Sequence, residues 1–171
     1  MSEPASLFAR QRPRLLRIAH HMLGNAGDAE DVVQDAFLRW HQADTSAIRT
    51  PSAWLVTVVT RLALDRLRAL KLERKNYPGP WLPEPWIHGA NDNPAPDAHA
   101  ERDRALDYAA LMLLERLSPD ERAAYLLREI FAVEYGAIAE ALARSEDACR
   151  QLVHRARERL GKGEPRRHAS A

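Results

Sequence analysis

The sequence predicts an all-α fold, built as two small helical modules that are joined by a Pro-rich linker. Apolar residues recur at helical spacing on both sides of the linker, whereas no stretch has the alternating pattern of a convincing strand pair. Residues 76–100 hold six of the eleven prolines, and proline disfavours both the interior of a helix and a central strand. The last two predicted helices, joined by a short turn, form a helix-turn-helix.

Composition limits the class of protein. The 171 residues are 46% hydrophobic and 29% charged, which is typical of a globular chain. A formal net charge of +1 argues against a uniformly basic surface but leaves room for local basic patches. The single cysteine, Cys149, excludes an intrachain disulfide and a multi-cysteine zinc site. There is no apolar signal core at the N-terminus and no apolar stretch of membrane length, so we expect a cytoplasmic protein with no membrane partner. The seven histidines are scattered, so we expect no metal site, and we expect no cofactor.

Three helices are predicted for the first module. The first spans residues 4–23 and is ended by Gly24, and the second spans 28–41, with acidic residues in its first turn. Residues 42–50 have no clear periodicity and are predicted to form a loop. Thr50 and Pro51 then supply an N-cap and an N1 proline for a long helix that ends near Lys75.

The second module begins with a helix over about 98–117. Ser118 to Glu121 form a capping box with proline at N1, which opens a helix that reaches about Phe131. Helices over 134–142 and 145–161 follow, and Ser145 is the N-cap of the last one. The predicted divisions are therefore a first module over 1–75, a linker over 76–100, a second module over 101–162 and a tail over 163–171.

The second helix carries an acidic face opposite its apolar stripe. Clustered negative charge repels nucleic acid, so this face favours a basic protein partner. A solvated acidic helix is the alternative, while an acid–base or metal site is disfavoured because no histidine stands at ligand spacing. The candidate partner-binding residues are Glu30, Asp31, Gln34, Asp35 and Leu38.

The long third helix becomes basic in its second half. Six positive and two negative side chains between Arg61 and Lys75 give this half a net charge of +4. Such a stripe can follow a phosphate backbone, although a solvated basic face would have the same pattern. The candidate DNA-binding residues here are Arg61, Arg66, Arg68, Lys71 and Lys75.

The exposed face of the last helix is rich in hydrogen-bond donors. Arginine, glutamine and histidine suit phosphates and base edges, although an ordinary helical hairpin with a charged surface would also fit. Cys149 falls on the opposite, apolar face, which favours a small core residue over a reactive thiol. The candidate DNA-binding residues of this module are Ser145, Arg150, Gln151, His154, Arg155 and Arg157.

Taken in order, these motifs resemble the sigma-factor family, and specifically its extracytoplasmic-function (ECF) group. The segment DAEDVVQDAFLRW resembles the polymerase-binding helix, and TPSAWLVTVVTRLALDRLR resembles the helix that recognises the minus-ten promoter element. The segments LSPDERAAYLLREIF and YGAIAEALARSEDACRQLVHRARERL resemble the module for the minus-thirty-five element. The resemblance implies a non-enzymatic subunit that directs RNA polymerase to promoters, with the 42–52 loop helping to trap unstacked bases.

The segments YPGPWLPEPW and CRQLVHRAR also resemble a subgroup of sigma factors that usually carries a C-terminal polyketide-cyclase-like (SnoaL-like) domain. The implied partners are core RNA polymerase, promoter DNA, and an anti-sigma factor or a C-terminal regulatory domain. Two other classes stay open on the residues alone. A stand-alone helix-turn-helix transcriptional regulator would leave the acidic helix without a role, and a protein-interaction adaptor would leave the donor-rich face of the last helix without one.

Overall fold

The structure is a computed structural model that describes residues 3–76, 79 and 98–161. Most of the predicted linker and nearly all of the predicted tail lie outside the described residues. Within these ranges the chain is all-α, as the sequence predicted, and contains no strand. Its helices are α1 (Glu3–Leu23), α2 (Ala26–Gln42), α3 (Pro51–Lys75), α4 (Ala98–Leu114), α5 (Pro119–Tyr125), α6 (Tyr135–Leu142) and α7 (Glu146–Gly161).

Helices α1 to α3 form the first module. Gly24 turns the chain with a φ of 68°, and Asn25 then caps α2 by accepting a hydrogen bond from Asp28 N at 2.9 Å. The apolar stripe of α2 packs inward as predicted, and the Trp40 indole donates to Pro4 O at 2.8 Å. These contacts leave the acidic side of α2 in solvent.

Helix α3 is the central helix of the molecule. It begins at Pro51 as predicted, but the Thr50 side chain makes no capping hydrogen bond, so the N1 proline defines this start without it. Along one side Leu55, Val59 and Leu67 are fully buried against α1 and α2. The opposite side faces the second module.

The second module contains α4 to α7. Ser118 caps α5 by accepting from Glu121 N at 3.2 Å, whereas the Glu121 carboxylate lies 3.3 Å from Arg159, so only half of the predicted capping box forms. The helix predicted to reach Phe131 ends in a π-helical turn over Leu126–Ile130. A short 3-10 helix also interrupts the predicted loop of the first module at Thr45–Ala47.

A tight turn joins α6 to α7. Ala143 adopts a left-handed conformation with φ 52°, and Ser145 caps α7 by accepting from Ala148 N at 3.1 Å. Cys149 is buried on the inner face of α7, as the apolar spacing predicted. This turn fixes which side of α7 stays in solvent.

The two modules pack against each other, and their buried residues form one continuous hydrophobic cluster. Helix α3 contacts α5 and α6, and α1 contacts the π-helical turn. The buried guanidinium of Arg122 on α5 donates from Nε to His21 O at 2.8 Å, close to the end of α1. The sequence did not predict this closed arrangement, in which the second module covers part of α3.

Candidate nucleic-acid interface

The acidic face of α2 is open to solvent. All five candidate partner-binding residues are exposed, including the apolar Leu38, which is 48% exposed. Glu30 is engaged at its edge by Arg12, with 2.7 Å between Nη2 and Oε2. The buried side chains of Val33, Ala36 and Trp40 hold the opposite face of the helix in the core. A rigid helix therefore presents a negative surface with an apolar residue at one end.

The basic stripe of α3 consists of Arg61, Arg68, Lys71 and Lys75, and will be called the α3 stripe. Three of these four side chains contact the second module. Arg61 donates from Nη2 to Glu140 O at 2.7 Å and from Nε to Ala141 O at 3.3 Å.

The other two contacts of the α3 stripe lie further along the helix. Lys71 donates to Leu117 O at 2.6 Å, and Arg68 pairs with Asp120 at 2.7 Å. Lys75 is exposed at the end of the helix. Arg66 points elsewhere, because its guanidinium pairs with Asp28 of the first module at 2.9 Å.

Burial changes the chemistry of the covered cations. Desolvation lowers the pKa of Lys71 from its ordinary value, although nearby Glu115 opposes this shift. Desolvation also lowers the pKa of Arg122, against the attraction of the same carboxylate. Both groups lose hydration in the closed arrangement, and carbonyl and carboxylate oxygens replace the lost water.

A cleft of about 440 Å³ lies between the 42–52 loop, the first half of α3 and helix α6. Ile48 and Trp54 supply apolar and aromatic surface, while Arg49 and Arg61 supply positive charge. Such a combination suits an unstacked base with its phosphate. Ala137 and Glu140 of α6 form one wall, so the cleft is shared between the modules.

The donor-rich side of α7 consists of Arg150, Gln151, His154 and Arg155, and will be called the α7 face. All four residues are exposed, and they line one surface groove. The His154 side chain is 71% exposed and lies 3.4 Å from Glu158. The ion pairs and ring contacts of Arg150 and His154 all lie within the second module.

Two further residues predicted to contact DNA lie beside the α7 face. Ser145 is exposed but its hydroxyl already caps α7, and Arg157 pairs with Glu129. The cap leaves Ser145 able to donate its own hydroxyl proton. Arg157 would have to exchange its carboxylate partner for a phosphate.

Tyr135 is a residue that the sequence reasoning missed. Its ring lies under two guanidinium groups, with Arg128 Cζ 4.5 Å and Arg150 Cζ 4.9 Å from the ring centroid. Glu146 and Asp147 hold the same Arg150 by ion pairs of 3.2 and 3.0 Å. The sequence signal that could have revealed this contact with Arg128 and Arg150 is the presence of an aromatic residue at the first position of α6.

Within residues 3–76 and 98–161, no group of three or more histidine, cysteine or carboxylate side chains lies close enough to hold a metal ion. Burial raises the pKa of the Cys149 thiol, which disfavours the nucleophilic thiolate. Across the same ranges, every helix falls short of the length and apolarity that crossing a membrane requires.

Comparison with known families accounts for both modules. Residues 7–73 match the family model for Sigma-70 region 2, and residues 108–160 match that for Sigma-70 region 4. The ferric citrate uptake sigma factor FecI of Escherichia coli is 31% identical over 78% of this chain and 75% of its own length. The ECF RNA polymerase sigma factor SigJ of Mycobacterium tuberculosis is 47% identical over 89% of this chain. The chain belongs to the ECF group of the sigma-70 family.

Solved sigma-factor structures share the fold. The crystal structure of Mycobacterium tuberculosis SigJ superimposes with a TM-score of 0.68 at 42% identity, over 91% of this chain and 52% of SigJ. The sigma factor RpoE of Bartonella quintana, crystallised with the anti-sigma factor NepR, has a TM-score of 0.64 at 24% identity, over 88% of this chain and 89% of RpoE. The chain spans about half the length of SigJ.

Family membership names the two modules. The region 2 match contains the acidic face of α2, the 42–52 loop and the α3 stripe except Lys75, and the region 4 match contains the α7 face. The structure brings the α3 stripe and the cleft together on one side of region 2, where residues of region 4 contact both. The acidic face of α2 and the α7 face lie outside the contact between the two regions.

Proposed function

We propose that the chain is a non-catalytic specificity subunit, which binds core RNA polymerase and directs it to promoters. One observation carries this proposal. A chain whose two modules match Sigma-70 regions 2 and 4 exposes an acidic face on the first and a donor-rich face on the second. These surfaces suit partners of opposite charge, namely a basic protein surface and a nucleic acid.

The acidic face of α2 is the proposed dock for core polymerase. Its carboxylates would steer a basic partner surface, and Leu38 would be buried on contact. The core side chains behind this face keep the helix rigid, so docking needs no ordering of this surface.

The proposed promoter contacts are divided between the regions. The α7 face would enter the major groove of the minus-thirty-five element, where arginine, glutamine and histidine can donate to base edges. The α3 stripe would follow the backbone of the minus-ten element, and the cleft beside Trp54 would accept an unstacked base. Arg66 would first have to leave Asp28 to join that contact.

Regulation by a protein partner belongs to the same proposal. RpoE of Bartonella quintana was crystallised with an anti-sigma factor, and we propose that a comparable partner acts on this chain in the cytoplasm. The C-terminal domain that the linker and α7 motifs imply stays a prediction.

Run-off transcription with core polymerase tests the function. We expect promoter-dependent transcripts only when this chain and the core enzyme are both present. A stand-alone regulator would bind a promoter duplex equally well without the core enzyme. An adaptor would not bind DNA and would not support transcription. Either of those results would overturn the proposed function.

A charge-reversed variant tests the dock. Asp31→Lys with Asp35→Lys should weaken core binding at least tenfold, since two favourable charge contacts become repulsive. The matched control reverses two exposed carboxylates of region 4, Glu134→Lys with Glu158→Lys, and should keep core affinity in the same titration. Equal affinity for both double variants would exclude α2 as the dock.

A further inference from the structure

The 42–52 loop has open space on two sides. Its residues 47–50 line the cleft of about 440 Å³. Thr45 and Ser46 line a second cavity of about 330 Å³, whose walls also include Trp40 of α2. A segment between two cavities makes few of the packing contacts that fix a core element, so its shape depends on other interactions.

The hydrogen bonds of this loop are local. Ala47 N donates to Asp44 O at 3.1 Å, and Ile48 N donates to Thr45 O at 3.3 Å, which closes the short 3-10 helix. In the part of the chain that the structure describes, the hydrogen bonds that hold residues 44–48 join residues of that same segment. The turn therefore takes its shape from its own backbone and side chains, and from the packing of Ile48 on the core.

Asp44 supplies the central acceptor of the turn. Its Oδ1 atom accepts from Ser46 N at 3.1 Å and from the Ser46 hydroxyl at 2.5 Å. These bonds, the hydroxyl bond first, lower the pKa of Asp44 from its ordinary value, so the side chain is a carboxylate at neutral pH. A charged acceptor forms stronger hydrogen bonds than a neutral one, and an aspartate two residues before its donor is a common way to fix a turn.

The turn decides where two cleft residues lie. Ile48 follows the 3-10 helix directly and is half-buried against the core, and the next residue, Arg49, is exposed. Both line the cleft, where Ile48 offers apolar surface and Arg49 offers positive charge. A change in the backbone between Asp44 and Ile48 would therefore move both side chains relative to Trp54, which is held in α3.

Asp44 itself is unsuited to direct contact with nucleic acid. It is exposed, and its negative charge repels phosphates. Removal of the charge alone should therefore strengthen the binding of every nucleic-acid sequence to a similar extent. The hydrogen bonds to Ser46 leave an indirect role, through the backbone that carries Ile48 and Arg49.

We propose that Asp44 is a positioning residue, which acts through Ser46 to hold Ile48 and Arg49 at the cleft and thereby sets which base the cleft prefers. The inference rests on the proposed function, because that function takes the cleft as the place for an unstacked base. A fixed loop discriminates among bases more sharply than an adaptable one, which can repack around each of them.

Amide hydrogen exchange on the isolated chain measures the positioning. Asp44→Ala removes the acceptor and should speed exchange at Ser46, Ala47 and Ile48 about tenfold, the scale of one lost hydrogen bond. Asp44→Asn keeps an acceptor oxygen without the charge, and we expect its exchange to stay within about twofold of the parent chain. Glu73→Ala is the matched control, since it removes an exposed carboxylate of α3 outside the loop, and it should leave these amides unchanged.

Base selectivity is measured with four single-stranded thymine probes of about ten nucleotides, which differ only in one central base. Fluorescence anisotropy gives the Kd of each probe, and the parent chain should bind its preferred probe about tenfold more tightly than the weakest one. In Asp44→Ala this preference should shrink to about twofold, whereas Asp44→Asn should keep it. Both variants lose the same charge, so only the preference among bases separates positioning from electrostatic repulsion.

The outcomes separate this inference from the proposed function. Equal exchange in Asp44→Ala and the parent chain, or an unchanged base preference in that variant, would overturn the positioning role. Equal loss of preference in both variants, or a parent chain without any base preference, would overturn it as well. Faster exchange with a weakened preference in Asp44→Ala alone would support it, even if run-off transcription with core polymerase fails. In that case the proposed function fails, and the cleft remains a base-selective site.

Discussion

The two surfaces that we propose to contact DNA differ in how the fold holds them. All four residues of the α7 face are exposed, and Arg150 is held within its own region by Tyr135, Glu146 and Asp147. In the α3 stripe, three of the four cations are held by the other region, at its backbone or at Asp120, although Arg61, Arg68 and Lys75 are exposed. The two surfaces therefore differ in which region holds their cations, while Lys71 is the one residue among them that is partly buried.

The difference follows from where each helix lies in the fold. Among the described elements, helix α7 packs mainly against α5 and α6. Helix α3 is central: its apolar side packs against the other helices of region 2, and its basic side contacts region 4. A central helix that carries cations attracts helix C-termini as readily as phosphates, because both present oxygen atoms with negative charge.

The largest effect is expected from stripping the α7 face. Replacing Arg150, Gln151 and His154 with alanine should remove upstream selectivity, since each base contact contributes about 1–3 kcal/mol of discrimination. Competition transcription between promoters that differ only in the minus-thirty-five element measures this effect. If the variant kept its full preference between those promoters, the α7 face would not be the surface that recognises the minus-thirty-five element.

The matched control for that variant removes the same three residue types from region 2. Arg10, Gln11 and His41 lie on α1 and α2, away from both the α3 stripe and the α7 face. Their triple replacement with alanine should leave the preference between the two promoters unchanged. A loss of preference in this control would indicate a general effect of removing charge.

An intermediate effect is expected at Tyr135, which holds Arg150 in place. Tyr135→Leu removes the aromatic ring from under two guanidinium groups and should cost upstream binding about 1 kcal/mol, the scale of a partly exposed cation–π contact. Tyr135→Phe keeps the ring and should restore affinity. The same transcription competition measures the loss of promoter selectivity. The salt dependence of duplex binding measures the loss of phosphate contacts separately. If phenylalanine and leucine have equal effects, Tyr135 acts only as a packing residue.

The sequence predicted the helices far better than it predicted their partners. Capping and periodicity placed α1, α2 and α3 to within two or three residues, because these signals are local. Periodicity also predicted the buried side of α7, including Cys149. It could not predict the π-helical turn at Leu126–Ile130, because nothing in LLREI distinguishes it from ordinary helix.

The candidate site was predicted as a set of residues, without its closed arrangement. A hydrogen bond from Arg61 or Lys71 to a backbone carbonyl leaves no mark in the sequence of the acceptor, since every residue has a carbonyl. Arg122 sits in a capping-box segment where an exposed side chain would be expected, yet it is fully buried across the contact. The charge pattern of a sequence predicts which face of a helix is basic. Only the tertiary structure shows which acceptor group each cation of that face contacts.

The smallest effect sharpens the comparison at the turn that orients α7. Ala143 carries a Cβ at φ 52°, a conformation that costs an ordinary residue about 1–2 kcal/mol and costs glycine little. Part of that gain is lost to the greater freedom of glycine in the unfolded chain, so Ala143→Gly should raise the free energy of unfolding by about 0.5–1 kcal/mol. Urea unfolding measures the change as a higher midpoint at constant slope. Ala141→Gly, two residues earlier and buried inside α6, should instead lower the free energy of unfolding by about 1 kcal/mol.

The α7 face should keep its promoter preference in Ala143→Gly, because the turn already has the geometry that glycine favours. A destabilised Ala143→Gly chain would mean that the turn is held by contacts of the Ala143 methyl group and not by the backbone.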